Sequence, residues 1–161
     1  MITWRCAPFD ELTPREIHDM LQARSAAFVV EQNCVFLDID GIDPSCWHLV
    51  GYETSDHLVA AARLVPPGTK FPEPSIGRVV TTGAVRGTGV GRELMREAIA
   101  HAERLWPRQA LRVSAQQHLE KFYGSLGFVT TSAPYMEDGI PHIDMLRPAA
   151  VAERSGEAVG R

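Results

Sequence analysis

Ile76–Leu94, IGRVVTTGAVRGTGVGREL, runs from a β-branched strand through a glycine-rich turn directly into an amphipathic helix. Gly87, Gly89 and Gly91 remove Cβ atoms where backbone must pass close to a ligand. The helix that follows aims its unpaired first-turn N–H groups at whatever lies in the turn, an arrangement suited to a pyrophosphate. Spacing rules out two common phosphate motifs. A dinucleotide fingerprint needs a glycine where Arg92 stands, and the strand near Leu111–Ala115 offers no ribose-binding carboxylate, so no nicotinamide cofactor is expected. A P-loop ends in Gly-Lys-Ser/Thr, whereas this turn closes on Gly91-Arg92-Glu93, without a lysine or a hydroxyl for magnesium.

Strand-like and helix-like segments alternate on either side of this stretch, which predicts an α/β (α+β) domain with a central mixed, mostly antiparallel sheet flanked by helices. Thr13, Pro14 and Glu16 form a capping box, after which Ile17, Met20, Leu21 and Phe28 recur at helical spacing on a face that should be buried. Strands are expected over His48–Glu53 and Leu58–Val65, joined at Thr54-Ser55-Asp56, with Pro66–Pro74 as a loop. The helix over about Gly89–Leu105 places Val90, Leu94, Ala98, Ala102 and Leu105 on one stripe and is limited by Pro107. Leu111–Ala115 reads as a strand, Gln116–Leu126 as a helix stopped by Gly127, and the regions near Phe128 and Ile143 as closing strands. The chain divides into one domain over residues 1–147 and a tail over 148–161 whose Ala, Glu, Arg and Gly content lacks an apolar pattern and should be flexible.

A chain of 161 residues is long enough to bury a sizeable core. Its net charge of −4 and scattered Lys and Arg residues exclude the electrostatic footprint of a nucleic-acid binder. The opening MITWR lacks the order of a signal peptide and no run of 18 apolar residues occurs, so a soluble cytoplasmic protein without a membrane partner is expected. Cys6, Cys34 and Cys46 show no C-x-x-C spacing and read as reduced, small core residues. The six histidines include no H-x-x-x-H pair, and no metal site is indicated. Gly124-Ser125-Leu126-Gly127 is one residue too short for a nucleophile elbow.

The loop Arg86-Gly87-Thr88-Gly89-Val90-Gly91 resembles the Arg-x-x-Gly-x-Gly loop of the GNAT acyl-CoA N-acyltransferases. FVVEQNC (Phe28–Cys34), DIDGID (Asp38–Asp43), FYGSLGF (Phe122–Phe128) and EDGIPH (Glu137–His142) are similar, in that order, to the ElaA-like branch of the superfamily. The resemblance covers roughly residues 1–147 and implies the GNAT fold, acetyl-CoA as acyl donor, CoA as product and direct transfer to an amine.

Acyl transfer from a thioester to an amine needs a donor for the developing oxyanion, a base for the amine and an acid for the departing thiolate. The resemblance implies that Val79, Val80 and Thr81, on a strand splayed from its neighbour, hold the pantetheine arm, with the Val80 N–H as oxyanion donor. It places Arg86, Gly87, Thr88, Gly89, Val90, Gly91 and Arg92 around the pyrophosphate, and Gln116 where relatives carry an asparagine that bonds the arm. Tyr123 matches the family's general acid, a role suited to a phenol whose pKa of roughly 10 is close to that of a thiol; the alternative is a core aromatic beside Phe122. The base stays open among Glu31, His48 and His142. Glu31 lies in an apolar run, where a carboxylate must be paired, with Arg24 for example, or used.

The acceptor is a small-molecule or peptide amine: a polyamine, an amino sugar, a drug or a protein N-terminus. Asp38, Asp40, Asp43, Glu137 and Asp138 either draw a cationic amine toward the site or are solvated loop charges. Two further readings stand beside this one: an acyl-CoA-binding sensor without turnover, and an enzyme of the acyl-homoserine-lactone synthase kind, against which the lack of a basic patch for a carrier protein counts. Oligomeric state is open, a homodimer being the commonest assembly.

Overall fold

A computed structural model describes residues 1–149. Its strands are β1 (Thr3–Pro8), β2 (Trp47–Thr54), β3 (His57–Val65), β4 (Ser75–Thr81), β5 (Leu111–Gln116), β6 (Val129–Thr130), β7 (Tyr135–Glu137) and β8 (Ile140–Arg147). They form one sheet in the order β1-β2-β3-β4-β5-β8-β6, with β7 paired to β8. Every pairing is antiparallel except β4 with β5, giving the mixed, mostly antiparallel sheet expected. From residue 150 onward the expected flexible tail lies outside the described residues.

The helix α1 (Pro14–Arg24) starts as its sequence predicts: the Thr13 side chain accepts from the Glu16 N–H at 3.0 Å, and the Glu16 carboxylate accepts from the Thr13 N–H at 2.8 Å. It continues as a π-helical stretch over Ser25–Glu31, a wider coil that is often found at functional positions. Met20 is fully buried, and Ile17, Leu21 and Phe28 pack half-buried against the same face of the sheet. The helix α2 (Val90–Leu105) covers the opposite face, burying Val90, Leu94, Ala98 and Ala102 as its stripe predicts, with Met95 and Ile99 beside them. Between the two layers β3 is buried at every residue after His57.

The structure departs from the sequence reading at several points. β1 carries only a short alternation, so its pairing with β2 becomes apparent only in the sheet. Gln116 ends β5 rather than starting a helix, because it pairs with His142 on β8; a 3₁₀ turn at Gln117–Leu119 intervenes before the short α3 (Glu120–Gly124). Cys34 is not a core residue: it is half-exposed, and its Sγ donates to the Asp138 carbonyl at 3.3 Å.

Candidate active site

β4 and β5 touch at one register pair, Ser75 with Arg112, where the Arg112 N–H donates to the Pro74 carbonyl at 2.9 Å. Beyond that point the strands part, and a cleft of about 490 Å³ opens between Ile76–Thr81 on one side and Val113–Gln116 on the other. The π-helical stretch contributes Ala27, Phe28 and Glu31 to its wall, and Tyr123 and His142 close it from the far side. Val79, Val80, Thr81, Arg86, Gln116, Tyr123, Glu31 and His142, which the sequence singles out from five separate segments, all line this one space.

The backbone of β4 explains which of its groups are available. Ala61 pairs with Val80 and Arg63 with Gly77, so two residues of β4 oppose one of β3 in a bulge. Arg78 in that bulge takes φ +48°, a left-handed conformation uncommon for a side chain of its size. Past the bulge the Thr82 N–H donates to the Val59 carbonyl at 2.9 Å, while the Thr81 carbonyl turns the other way and accepts from Arg86 Nε and Nη2 at 3.3 and 3.2 Å. Strand alternation past the bulge turns the Val80 N–H toward β3 and that of Thr81 toward the cleft, while Val79 lies in the bulge itself, where the ladder to β3 is interrupted. The sequence points to Val80 as oxyanion donor; this register favours its neighbours.

At the open end of β4 the glycine turn follows. Gly87 and Gly89 have φ of +80° and +89°, and a Cβ added at Gly87, Gly89 or Gly91 would meet no atom within 4 Å. Gly89 caps α2 without a side chain, so the first-turn N–H groups have no side-chain acceptor. Vacant volume beside positive-φ glycines, bare helix-end donors and a parted strand edge together fit a CoA pyrophosphate and its pantetheine arm. Thr88 hydrogen-bonds back to the Val85 carbonyl, and Arg92 donates to Ser125 Oγ at 2.9 Å while lying over the Phe122 ring, so both brace the turn.

Tyr123 is buried against Phe122 and Phe128 in edge-to-face contacts, yet its hydroxyl has no hydrogen-bond partner among the described residues. Burial pushes its pKa up to about 12, so it stays protonated and able to donate. The His142 Nδ1 lies 2.8 Å from the Ile140 carbonyl, which only accepts. Nδ1 therefore carries a proton, so that in the neutral tautomer the lone pair sits on Nε2, 3.9 Å from the Glu137 carboxylate.

Three sequence expectations change here. Glu31 is not desolvated: its side chain is half-exposed and paired with Arg86, Nη1 to Oε1 at 2.8 Å, rather than with Arg24. His48 lies outside the cleft, fully buried, its Nε2 donating to the Asp43 carbonyl at 2.9 Å, with burial holding its pKa below the usual histidine value. The aspartates of DIDGID are not free to recruit an amine. Arg24 binds Asp38 and Asp43 at 2.9 Å each, Arg63 binds Asp40 and Asp43 at 2.9 and 3.0 Å, and Arg78 reaches Asp38 at 2.8 Å. Burial would raise Asp40, but the Arg63 hydrogen bonds and charge outweigh it and hold its pKa down to about 2. Of the acids named, Glu137 and Asp138 do line the cleft and remain solvent-exposed. Arg78 and Phe36 also line the cleft and were missed; a glycine inside a strand pattern, Gly77, is the local signal that could have pointed to the bulge.

Comparison with known proteins places this geometry. Residues 42–147 match the model of the acetyltransferase (GNAT) domain. A UPF0039 protein of Synechocystis is 44% identical over 145 residues, covering 90% of this chain and 94% of that one. The crystal structure of an acyl-CoA N-acyltransferase from Pseudomonas aeruginosa superposes with a TM-score of 0.87 at 41% identity, covering 91% of this chain and 99% of that one. The Escherichia coli ElaA structure gives 0.85 at 40% identity, with the same coverage.

Proposed function

The chain belongs to the acetyltransferase (GNAT) family and is an acyltransferase, and from that premise we propose that it moves an acetyl group from acetyl-CoA directly to a primary amine within a ternary complex. The observation that carries this reading is the convergence of a parted β4 edge, an unpartnered buried phenol and a histidine on one cleft, at whose Arg86 rim a vacant glycine turn begins. Acetyl-CoA supplies the activated thioester; the amine nitrogen gains the acyl carbon, the C–S bond breaks, and CoA leaves as the thiol.

The pyrophosphate rests on the first-turn N–H groups of α2, with Arg86 to Arg92 around it. The arm runs from that loop back along β4, passing Thr81 first and Val79 next, so the thioester end lies nearest Val79 in the narrow part of the cleft. The bulge interrupts the β3 ladder at Val79, and its N–H is the donor this reading assigns to the oxygen where charge develops. Gln116, at the end of β5, faces the arm from the other wall. Tyr123 donates its proton to the departing sulfur, and His142 Nε2 takes one from the amine, held by the Nδ1 bond to Ile140. Glu137 and Asp138 give the acceptor side a negative lining, which favours an ammonium-bearing small molecule or peptide.

The test is a mass-spectrometric acetylation assay with acetyl-CoA over a panel of polyamines, amino sugars and peptide N-termini, paired with thiol release. An acetylated amine formed one-for-one with CoA, and suppressed in Tyr123→Phe, supports the reading. Hydrolysis of acetyl-CoA with no acetylated product across the panel contradicts it.

A further inference from the structure

Glu31 and Arg86 face each other across the mouth of the cleft from two different elements. Glu31 ends the π-helical stretch, whose wider coil aims that last residue at the cleft wall. Arg86 opens the glycine turn. Two of its nitrogens, Nε and Nη2, are committed to the Thr81 carbonyl, and the remaining one, Nη1, holds Glu31 Oε1 at 2.8 Å. Both side chains are about half-exposed, at 44% and 52%. An anion seated on Gly87–Gly91 would begin at the residue next to Arg86, so it and the Glu31 carboxylate compete for one guanidinium corner.

We propose that Arg86 and Glu31 form a switch operated by the acyl donor, resting on the acyl-CoA reading above. Without the donor, Arg86 neutralises Glu31 and ties the π-helical stretch to the glycine turn. With it, the phosphate oxygens take the Nη1 corner, and the Glu31 carboxylate is released into the cleft beside Glu137 and Asp138, where it receives the ammonium of the acceptor. Donor binding thereby completes the acceptor site, and Glu31 is a positioning residue for the amine. An exposed ion pair of this kind is weak enough for a multiply charged phosphate group to displace. The buried Arg24–Asp43 pair is not.

The test is isothermal titration of CoA into four proteins: the natural chain, Glu31→Gln, Arg86→Gln and the double variant. Glu31→Gln frees Arg86 in advance and is expected to tighten CoA by about two- to fivefold, the range an exposed ion pair is worth. In the Arg86→Gln background the same substitution is expected to change CoA affinity by little. An equal gain in both backgrounds would mean plain repulsion between Glu31 and the phosphates, and no gain in either would mean no competition; both overturn the switch while leaving the cofactor reading intact. Failure of the natural chain to bind CoA would overturn both.

Discussion

DIDGID at Asp38–Asp43 and RGTGVG at Arg86–Gly91 are both rich in polar groups, and the fold treats them in opposite ways. The first is closed on itself: Asp38 and Asp43 are buried, and with Asp40 they meet the guanidiniums of Arg24, Arg63 and Arg78 from three other elements. The second is left open: a Cβ at Gly87, Gly89 or Gly91 would meet no atom within 4 Å, and no side chain caps the helix end. Charges paired inside the protein hold structure, while polar groups left without a partner at a cleft are available to a ligand. Motif resemblance alone does not separate the two, since both stretches contribute to the likeness with the ElaA branch.

The contrast predicts different consequences of damage. Arg24→Ala leaves buried Asp43 with Arg63 alone and buried Asp38 with Arg78 alone, and is expected to cost about 3–5 kcal/mol of stability, read from urea denaturation. A loss below about 1 kcal/mol would show that the network is not closed. Tyr123→Phe, in the open region, is expected to leave stability nearly unchanged and lower kcat by about a hundredfold with little change in CoA affinity, measured by steady-state kinetics and titration. A variant that loses CoA binding instead would recast Tyr123 as part of the arm's wall.

Acid sharpens the comparison further. Asp40 has its folded pKa depressed, and so does Asp43, where burial is outweighed by the Arg24 and Arg63 contacts. Their contribution is present above the unfolded carboxylate pKa of roughly 4 and is lost as pH falls below it, toward about 2 in the case of Asp40. His48, depressed by burial, adds an earlier loss as pH falls below the ordinary histidine value of roughly 6.5. Denaturation midpoints measured from pH 7 to pH 2 should therefore fall in two stages, and in Arg24→Ala the lower stage should flatten, because carboxylates short of one cation gain by taking up protons. The smallest effect is expected for Glu31→Gln, which cuts an ion pair of similar length to Arg24–Asp43 but half-exposed: stability should move by less than about 1 kcal/mol.

Which features were legible in the sequence follows from how locally each is encoded. The capping box at Thr13–Glu16, the stripe on α2 and the glycine turn are each written within a few residues, so they were readable and they hold. The Arg–Asp network joins Arg24, Asp38–Asp43, Arg63 and Arg78, whose proximity depends on the packing of α1 against β3 and β4 and leaves no local trace. Glu31 shows the same limit: its apolar neighbours suggest burial, whereas the π-helical stretch turns Val30 and Glu31 outward. The choice between Val79, Val80 and Thr81 also needed the register, because a single bulge decides which N–H groups face β3 and which face the cleft.

The most direct test of the central claim, that the open region is an acyl-CoA site, is thermal unfolding of the natural chain and Gly89→Glu with acetyl-CoA, CoA, NAD and ATP in parallel. Gly89→Glu fills the cradle at a φ of +89°, and each protein is compared with its own ligand-free midpoint. At about 100 times Kd, linkage predicts roughly 2.7 kcal/mol of stabilisation, a rise of about 5 °C or more. A rise in the natural chain with the two CoA compounds alone, absent in Gly89→Glu, is the predicted result. No rise with either CoA compound, or an equal rise in Gly89→Glu, would contradict the account.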